Sequence, residues 1–239
     1  MKGVPAGEQP APVVVRAELE PGVECLGEWV GAPGSLGAVI LLHDLGSDLD
    51  SMRHVGRVLV SAGLGVLNLD LPGHGISAGD YWTHGAAAVE AAAEYASGRG
   101  GGEVAVVAHG HSCALSAGAA IAPVAAVLVD PRAGHDAPAR QESWNTVSTI
   151  FIQDPLDAVV TAEVEHTMAQ MHAWTVRVDL HPNREAVGSS EPLPRLAMPQ
   201  ISGMTAKFLL EQLAYAAARS GRWSPPGAGG DVDAGQSGQ

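Results

Sequence analysis

The sequence predicts an α/β protein built on a mostly parallel sheet of about eight strands, with helices on both faces. Three observations carry that prediction. After an opening hairpin, short apolar runs alternate with longer helical segments. The runs are apolar at successive positions, as in strands buried on both faces. Most of them end abruptly in polar residues, and in such sheets active groups lie beyond the carboxyl ends of the strands.

Composition narrows the class. The chain has 239 residues, 46% hydrophobic and 16% charged, enough for one substantial globular domain. A net charge of −13 argues against nucleic acid and against an anionic membrane surface as partners. Residues 1–12 read as a disordered leader without the apolar core of a signal peptide, and no run approaches a membrane span. Two cysteines, Cys25 and Cys113, cannot make a disulfide framework, so a cytoplasmic location is expected.

The elements follow in order. Val13 to Leu19 and Val23 to Val30 pair as a hairpin across Pro21-Gly22. Ala38 to Leu42 is a buried strand ending in His43-Asp44-Leu45-Gly46-Ser47. Asp48 or Asp50 can cap a helix over Ser51 to Ala62, which closes at Gly63. Leu64 to Leu69 runs into Asp70-Leu71-Pro72-Gly73-His74-Gly75, and Thr83 can cap an alanine-rich helix to Ser97. Glu103 to Ala108 is the next strand, followed by the segment that carries Ser112.

Val124 to Val129 and Val147 to Gln153 are the following strands, joined by a short polar connection. A helix over Ala162 to His172 and a strand over Thr175 to Leu180 come next. Residues 183–201 read as a proline-containing loop, Met204 to Arg219 as an amphipathic helix, and 221–239 as a disordered tail. A single domain over 13–220 is expected.

The chemistry centres on Gly110-His111-Ser112-Cys113-Ala114. A serine between a strand and a helix, flanked by small residues two positions either side, has the spacing of a nucleophile elbow. Serine becomes a nucleophile when a base takes its proton and a third group orients that base. Ser112, Asp157 and His181 stand in the order serine, acid, histidine, each after a strand. Asp130 is a reserve acid, at the end of its own strand.

Over about residues 13–220 the chain resembles the α/β-hydrolase superfamily, in its serine esterase and lipase-like branch. The matching motifs are HDLGS at 43–47, DLPGHG at 70–75, GHSCA at 110–114, QDPLD at 153–157 and the histidine after the last strand. The resemblance implies Ser112 as nucleophile, His181 as general base and Asp157 as orienting acid. It implies an oxyanion hole from the backbone N–H groups of Cys113 and Leu45, and a structural role for Asp70 and His74. Ser112 is expected to point outward and the Cys113 side chain to be buried and idle.

Asp44 departs from the family pattern, which has glycine there. Its carboxylate either turns away into the adjacent loop or meets a polar or cationic substrate group, or takes part in a non-hydrolytic proton transfer. His111, Trp82 and Trp144 are candidate substrate-lining residues beside it. The lid, residues 131–146, is very short and implies an open, shallow site. No histidine, cysteine or carboxylate spacing points to a metal, and Gly98 to Gly102 precedes a strand rather than opening a helix, so no cofactor is expected.

The expected activity is hydrolysis of a carboxylic ester or thioester through an acyl-Ser112 intermediate, on a small-molecule or carrier-bound acyl substrate. The alternative is a cyclase, lyase or acyltransferase on the same fold, or a non-catalytic binding protein.

Overall fold

The structure, a computed structural model, describes residue 11 and residues 13–31, 35–181 and 193–221, with the side chains of 193–196 excepted. Eight strands form one sheet in the order β1-β2-β4-β3-β5-β6-β7-β8. They are β1 (Val13–Glu20), β2 (Val23–Val30), β3 (Ala38–Leu42), β4 (Gly65–Asp70), β5 (Val104–His109), β6 (Ala125–Val129), β7 (Ser148–Gln153) and β8 (Thr175–Asp179). The hairpin β1–β2 is antiparallel and β2 runs antiparallel to β4, while β3 to β8 are parallel. Strands β3, β4 and β6 are buried at every residue, which explains the unbroken apolar sequences of β3 and β6; in β4 the buried Asn68 and Asp70 find hydrogen-bond partners instead.

Helices cover both faces. Helix α1 (Arg53–Ser61) and the last helix, α5 (Leu193–Arg219), enclose one core layer with Leu59, Ile201, Leu209 and Leu213. Helices α2 (Tyr81–Arg99), α3 (Ser112–Gly118) and α4 (Ala158–Gln170) enclose the other, with Val89, Leu115 and Val160. A short 3-10 turn, Leu49–Met52, precedes α1 and is capped by Asp48.

Three local expectations are corrected. Asp80, not Thr83, caps α2, because its carboxylate accepts the N–H groups of Trp82 and Thr83 and the Thr83 hydroxyl. Asp157 caps α4, which therefore begins at Ala158 rather than Ala162. The expected loop ahead of Met204 is helical from Leu193. Ala197 leaves helical geometry (φ −130°, ψ 20°), and Pro199 lies just beyond that break. There its missing N–H falls where a helix has none to satisfy.

Candidate active site

The sharp turn lies two residues earlier than the serine motif implies. Strand β5 continues to His109, and Gly110 takes φ +62°, the left-handed region that glycine occupies without strain. The Gly110 N–H donates to the Val129 carbonyl at 2.9 Å, fixing the turn against the end of β6. Helix α3 then starts at Ser112. The flanking small residues are thus Ala108 and Ser112, and the residue on the elbow is Gly110, which has no side chain.

Ser112 faces inward, contrary to expectation. It is fully buried; its one hydroxyl proton has the His109 carbonyl (2.8 Å) and the Leu42 carbonyl (3.1 Å) as acceptors, and its oxygen accepts the His109 N–H (3.1 Å). It ties the ends of β3 and β5 together at the start of the helix. The Cys113 N–H donates back to Gly110 O at 3.3 Å within the turn and is not offered to a substrate. The Cys113 side chain is buried, and burial holds its thiol well above the usual range.

Asp44 fills the space the elbow leaves. A Cβ on Gly110 would collide with the Asp44 carboxylate. Its Oδ1 accepts the backbone N–H groups of Leu45 and His111, both at 2.7 Å. These are the loop after β3 and the residue after the elbow, the two sources of oxyanion-hole donors in this geometry. His111 Nδ1 lies 3.0 Å from the same oxygen, and since a carboxylate only accepts, that nitrogen carries the proton. Asp44 Oδ2 has no hydrogen-bond partner among the described residues. The Leu45 N–H is thus taken up by Asp44, together with the N–H of His111 and not that of Cys113.

Histidines brace this loop. His43 is fully buried, its Nε2 accepts the Leu71 N–H (2.9 Å), and its Nδ1 consequently carries the proton toward Asp44 O (2.8 Å). Burial pushes its pKa down, so the neutral ring is the form that makes both bonds. His74 Nε2 accepts the Gly46 N–H at 2.8 Å, and Asp70 accepts the N–H groups of Leu49 and Ile76. Asp70 and His74 thus hold loops rather than face substrate.

The other two triad candidates make no hydrogen bond to Ser112 among the described residues, although Arg132, the partner of Asp157, donates its backbone N–H to Gly110 O at 3.1 Å. Asp157 caps α4 through Val159 and Val160 N–H, and its Oδ2 pairs with Arg132 Nη2 at 2.7 Å. Those hydrogen bonds and the Arg132 charge hold its carboxyl below the usual range, against a desolvation that raises it. His181 is exposed just beyond β8, ahead of a segment outside the described residues. No hydrogen bond joins any two of Ser112, Asp157 and His181 among the described residues. Asp130 is buried with φ +45°, its Oδ1 accepts the Asp154 N–H at 3.2 Å, and burial raises its carboxyl to about 6.

A cavity of about 610 Å³ opens beside Asp44, lined also by Asp48, Asp50, Ser47, His109 and Met198. No lysine or arginine is among its lining residues; of its three carboxylates Asp50 is paired with Arg53, which leaves Asp44 and Asp48 to make the cavity negative. His109 lines it with a half-buried imidazole that has no hydrogen-bond partner among the described residues, and burial lowers that group to about 4. Trp82 stands edge-on to His111 (6.0 Å between centroids) and fills the space over Gly134, linking the lid to the elbow. Trp144 is a correction: it is 2% exposed and belongs to the hydrophobic core, not to the site. Among the described residues no group of three or more His, Cys, Asp or Glu could hold a metal ion, and no helix is long and apolar enough to cross a membrane.

Residues 39–230 match the family model described as alpha/beta hydrolase family. The chain belongs to the alpha/beta hydrolase family. No curated protein matches it in sequence. Among solved structures, a dienelactone hydrolase from Anabaena variabilis is 19% identical over 87% of this chain and 99% of its own, with a TM-score of 0.64. An esterase from Pyrococcus furiosus is 15% identical, over 85% and 91% of the two chains, with a TM-score of 0.68. An esterase domain from a Rhodothermus marinus protein is 12% identical, over 87% and 99%, with a TM-score of 0.59. At these identities the likeness shows the fold.

In this alpha/beta hydrolase His43 and His109 set an acid limit on stability. In the unfolded chain His43 and His109 titrate near their ordinary value of about 6.5. Folding holds both lower, so on acidification the unfolded chain takes up protons that the folded chain refuses. Stability is fully present above about pH 6.5 and falls as pH drops toward the folded values. Asp130, raised to about 6, acts in the opposite sense below that pH, because its folded form binds a proton first. The loss from these groups is therefore steepest just under pH 6.5 and shallower below 6. Urea unfolding at about pH 7.5 and about pH 5 should show it, and His109→Gln should recover about 2 kcal/mol of the drop.

Proposed function

We propose that this alpha/beta hydrolase works through the Asp44 carboxylate as a general base on a small molecule, in a proton-transfer reaction of the lyase, cyclase or isomerase type, rather than through an acyl-Ser112 intermediate. The supporting observation is the placement of that carboxylate. One oxygen is held by the N–H groups of Leu45 and His111, and the other has no hydrogen-bond partner among the described residues, at the place where an elbow side chain would stand. Held by one oxygen, the group cannot rotate freely, so the basic lone pairs of Oδ2 keep a fixed direction.

The same placement disfavours acyl transfer. An oxyanion needs the two N–H groups that Asp44 already occupies. A second negative charge within about 4 Å of the carboxylate would cost about 4 kcal/mol at an effective dielectric near 20. Ser112 would also have to leave three buried hydrogen-bond partners to reach substrate. His109 completes the reading, since a neutral imidazole on the same cavity offers one N–H and one lone pair to a substrate carbonyl. The substrate class is a small carbonyl compound with an acidic C–H, free of strong negative charge.

Deuterium wash-in from heavy water into a panel of small ketones and aldehydes, followed by mass spectrometry, tests the reaction. A fluorophosphonate probe and short p-nitrophenyl esters test the competing acyl-serine reading. Neither labelling nor ester turnover is expected in the wild type. Ser112→Ala is expected to cost about 1–3 kcal/mol of stability and to change neither result. Fluorophosphonate labelling that disappears in Ser112→Ala would overturn the proposal and restore the esterase or thioesterase reading.

A further inference from the structure

A second cavity lies beside the elbow, between the lid, α3 and α4, with none of the Asp44 cavity's residues in its lining. It is about 180 Å³, with Leu128 and Phe151 at its apolar floor and Ala114 and Ala117 of α3 along one side. Arg140 of the lid and Glu163 of α4 both line it. Arg140 Nη1 is buried without a hydrogen-bond partner, and no ion pair within 4.0 Å joins it to Glu163 among the described residues. Among the described residues Glu163 accepts a hydrogen bond from the Thr167 hydroxyl alone, at a marginal 3.5 Å. The neighbouring arginine, Arg132, is already committed to Asp157.

A guanidinium nitrogen taken out of water without a partner is expensive, because burial removes its hydration and nothing replaces it. Here a carboxylate faces the same small apolar space, yet the two charges do not close on each other. A dipolar molecule between them would satisfy both, its carboxylate on Arg140 and its ammonium on Glu163. A purely anionic ligand would face Glu163 unpaired, and a purely cationic one would face Arg140. The volume is below the roughly 300–1,000 Å³ of pockets for drug-sized ligands, which fits a single amino acid.

We propose that the cavity under the lid binds a small zwitterion, an α-amino acid with a short or branched apolar side chain, whose carboxylate pairs with Arg140, whose ammonium pairs with Glu163 and whose side chain rests on Leu128 and Phe151. The site is separate from Asp44, so it stands or falls independently of the reaction proposed there. It makes the lid an amino-acid sensor or an acceptor site beside the elbow.

Isothermal titration and thermal unfolding of the full chain test it with L-valine and L-leucine. Isovalerate and isoamylamine, each carrying one end of the dipole, serve as controls. The amino acids should bind with micromolar to millimolar affinity and raise the melting temperature, and each control should bind at least about tenfold more weakly. Arg140→Gln and Glu163→Gln should each lower amino-acid affinity about tenfold or more while the variants still melt cooperatively. Arg140→Met adds a readout independent of ligand: removing a half-buried guanidinium whose buried Nη1 has no partner should leave the ligand-free melting temperature unchanged or higher. No binding at millimolar amino acid, equal binding of isovalerate, or binding indifferent to Arg140 would each overturn the proposal.

Discussion

Asp44→Asn is expected to lower the rate of proton exchange by about 10²–10⁴-fold, the range that a positioned general base contributes, while leaving the fold intact. The carboxamide oxygen can still accept the N–H groups of Leu45 and His111, so the loop after β3 keeps its anchors. What the variant loses is the lone pair that takes the proton. The loss should therefore fall on kcat with little change in KM, since substrate contacts elsewhere in the cavity are untouched. A variant with unchanged kcat would show that Asp44 only closes the oxyanion site. An equal rise in KM alone would make it a binding group. His111→Phe is the companion variant: it removes the Nδ1–H contact but retains the backbone N–H, and should cost less than Asp44→Asn.

Gly110→Ala should be the most destabilising single substitution at the site. Two costs add. A Cβ at φ +62° is strained by about 1–2 kcal/mol, and overpacking against a fixed neighbour costs typically about 1–3 kcal/mol more. The neighbour is the Asp44 carboxylate, which three N–H groups hold in place and which cannot retreat cheaply. Chemical denaturation should give a loss of about 2–5 kcal/mol. In an Asp44→Gly background the steric part should vanish and only the backbone strain remain, so the double-mutant cycle should show coupling of about 1–3 kcal/mol. Additivity would mean that Gly110 is needed for its backbone alone.

These two residues explain how much of the site was legible in the sequence. Asp44 is visible there as an anomaly, because the family pattern has glycine at that place. The partner change, Gly110 in place of an elbow side chain, is hidden by a second motif laid over it. Gly110-x-Ser112-x-Ala114 has small residues at the right spacing, and so does Ala108-x-Gly110-x-Ser112. Moving the pattern by two residues keeps the strand alternation, so periodicity cannot choose between them. An anomaly at Asp44 read together with a glycine exposed to it was the available signal.

The chain by itself determines the strand set and the parallel core, along with the loops that meet at the strand ends. Continuous apolar runs such as Ala38–Leu42 and Ala125–Val129 have no other place to go than between two helical layers. Tertiary structure decides which atom stands at the turn. The register of β5 against β3 and β6, with the Gly110 N–H closing on Val129 O, places the bend at 110 and turns Ser112 inward. Trp144 and Asp157 take partners distant in sequence, the core and Arg132, while the Cys113 N–H is taken up within the elbow turn itself. Hydrophobic patterning is a local property that survives in one dimension. The position of a carboxylate in a pair of backbone N–H groups depends on two loops 67 residues apart, and only the folded sheet brings them together.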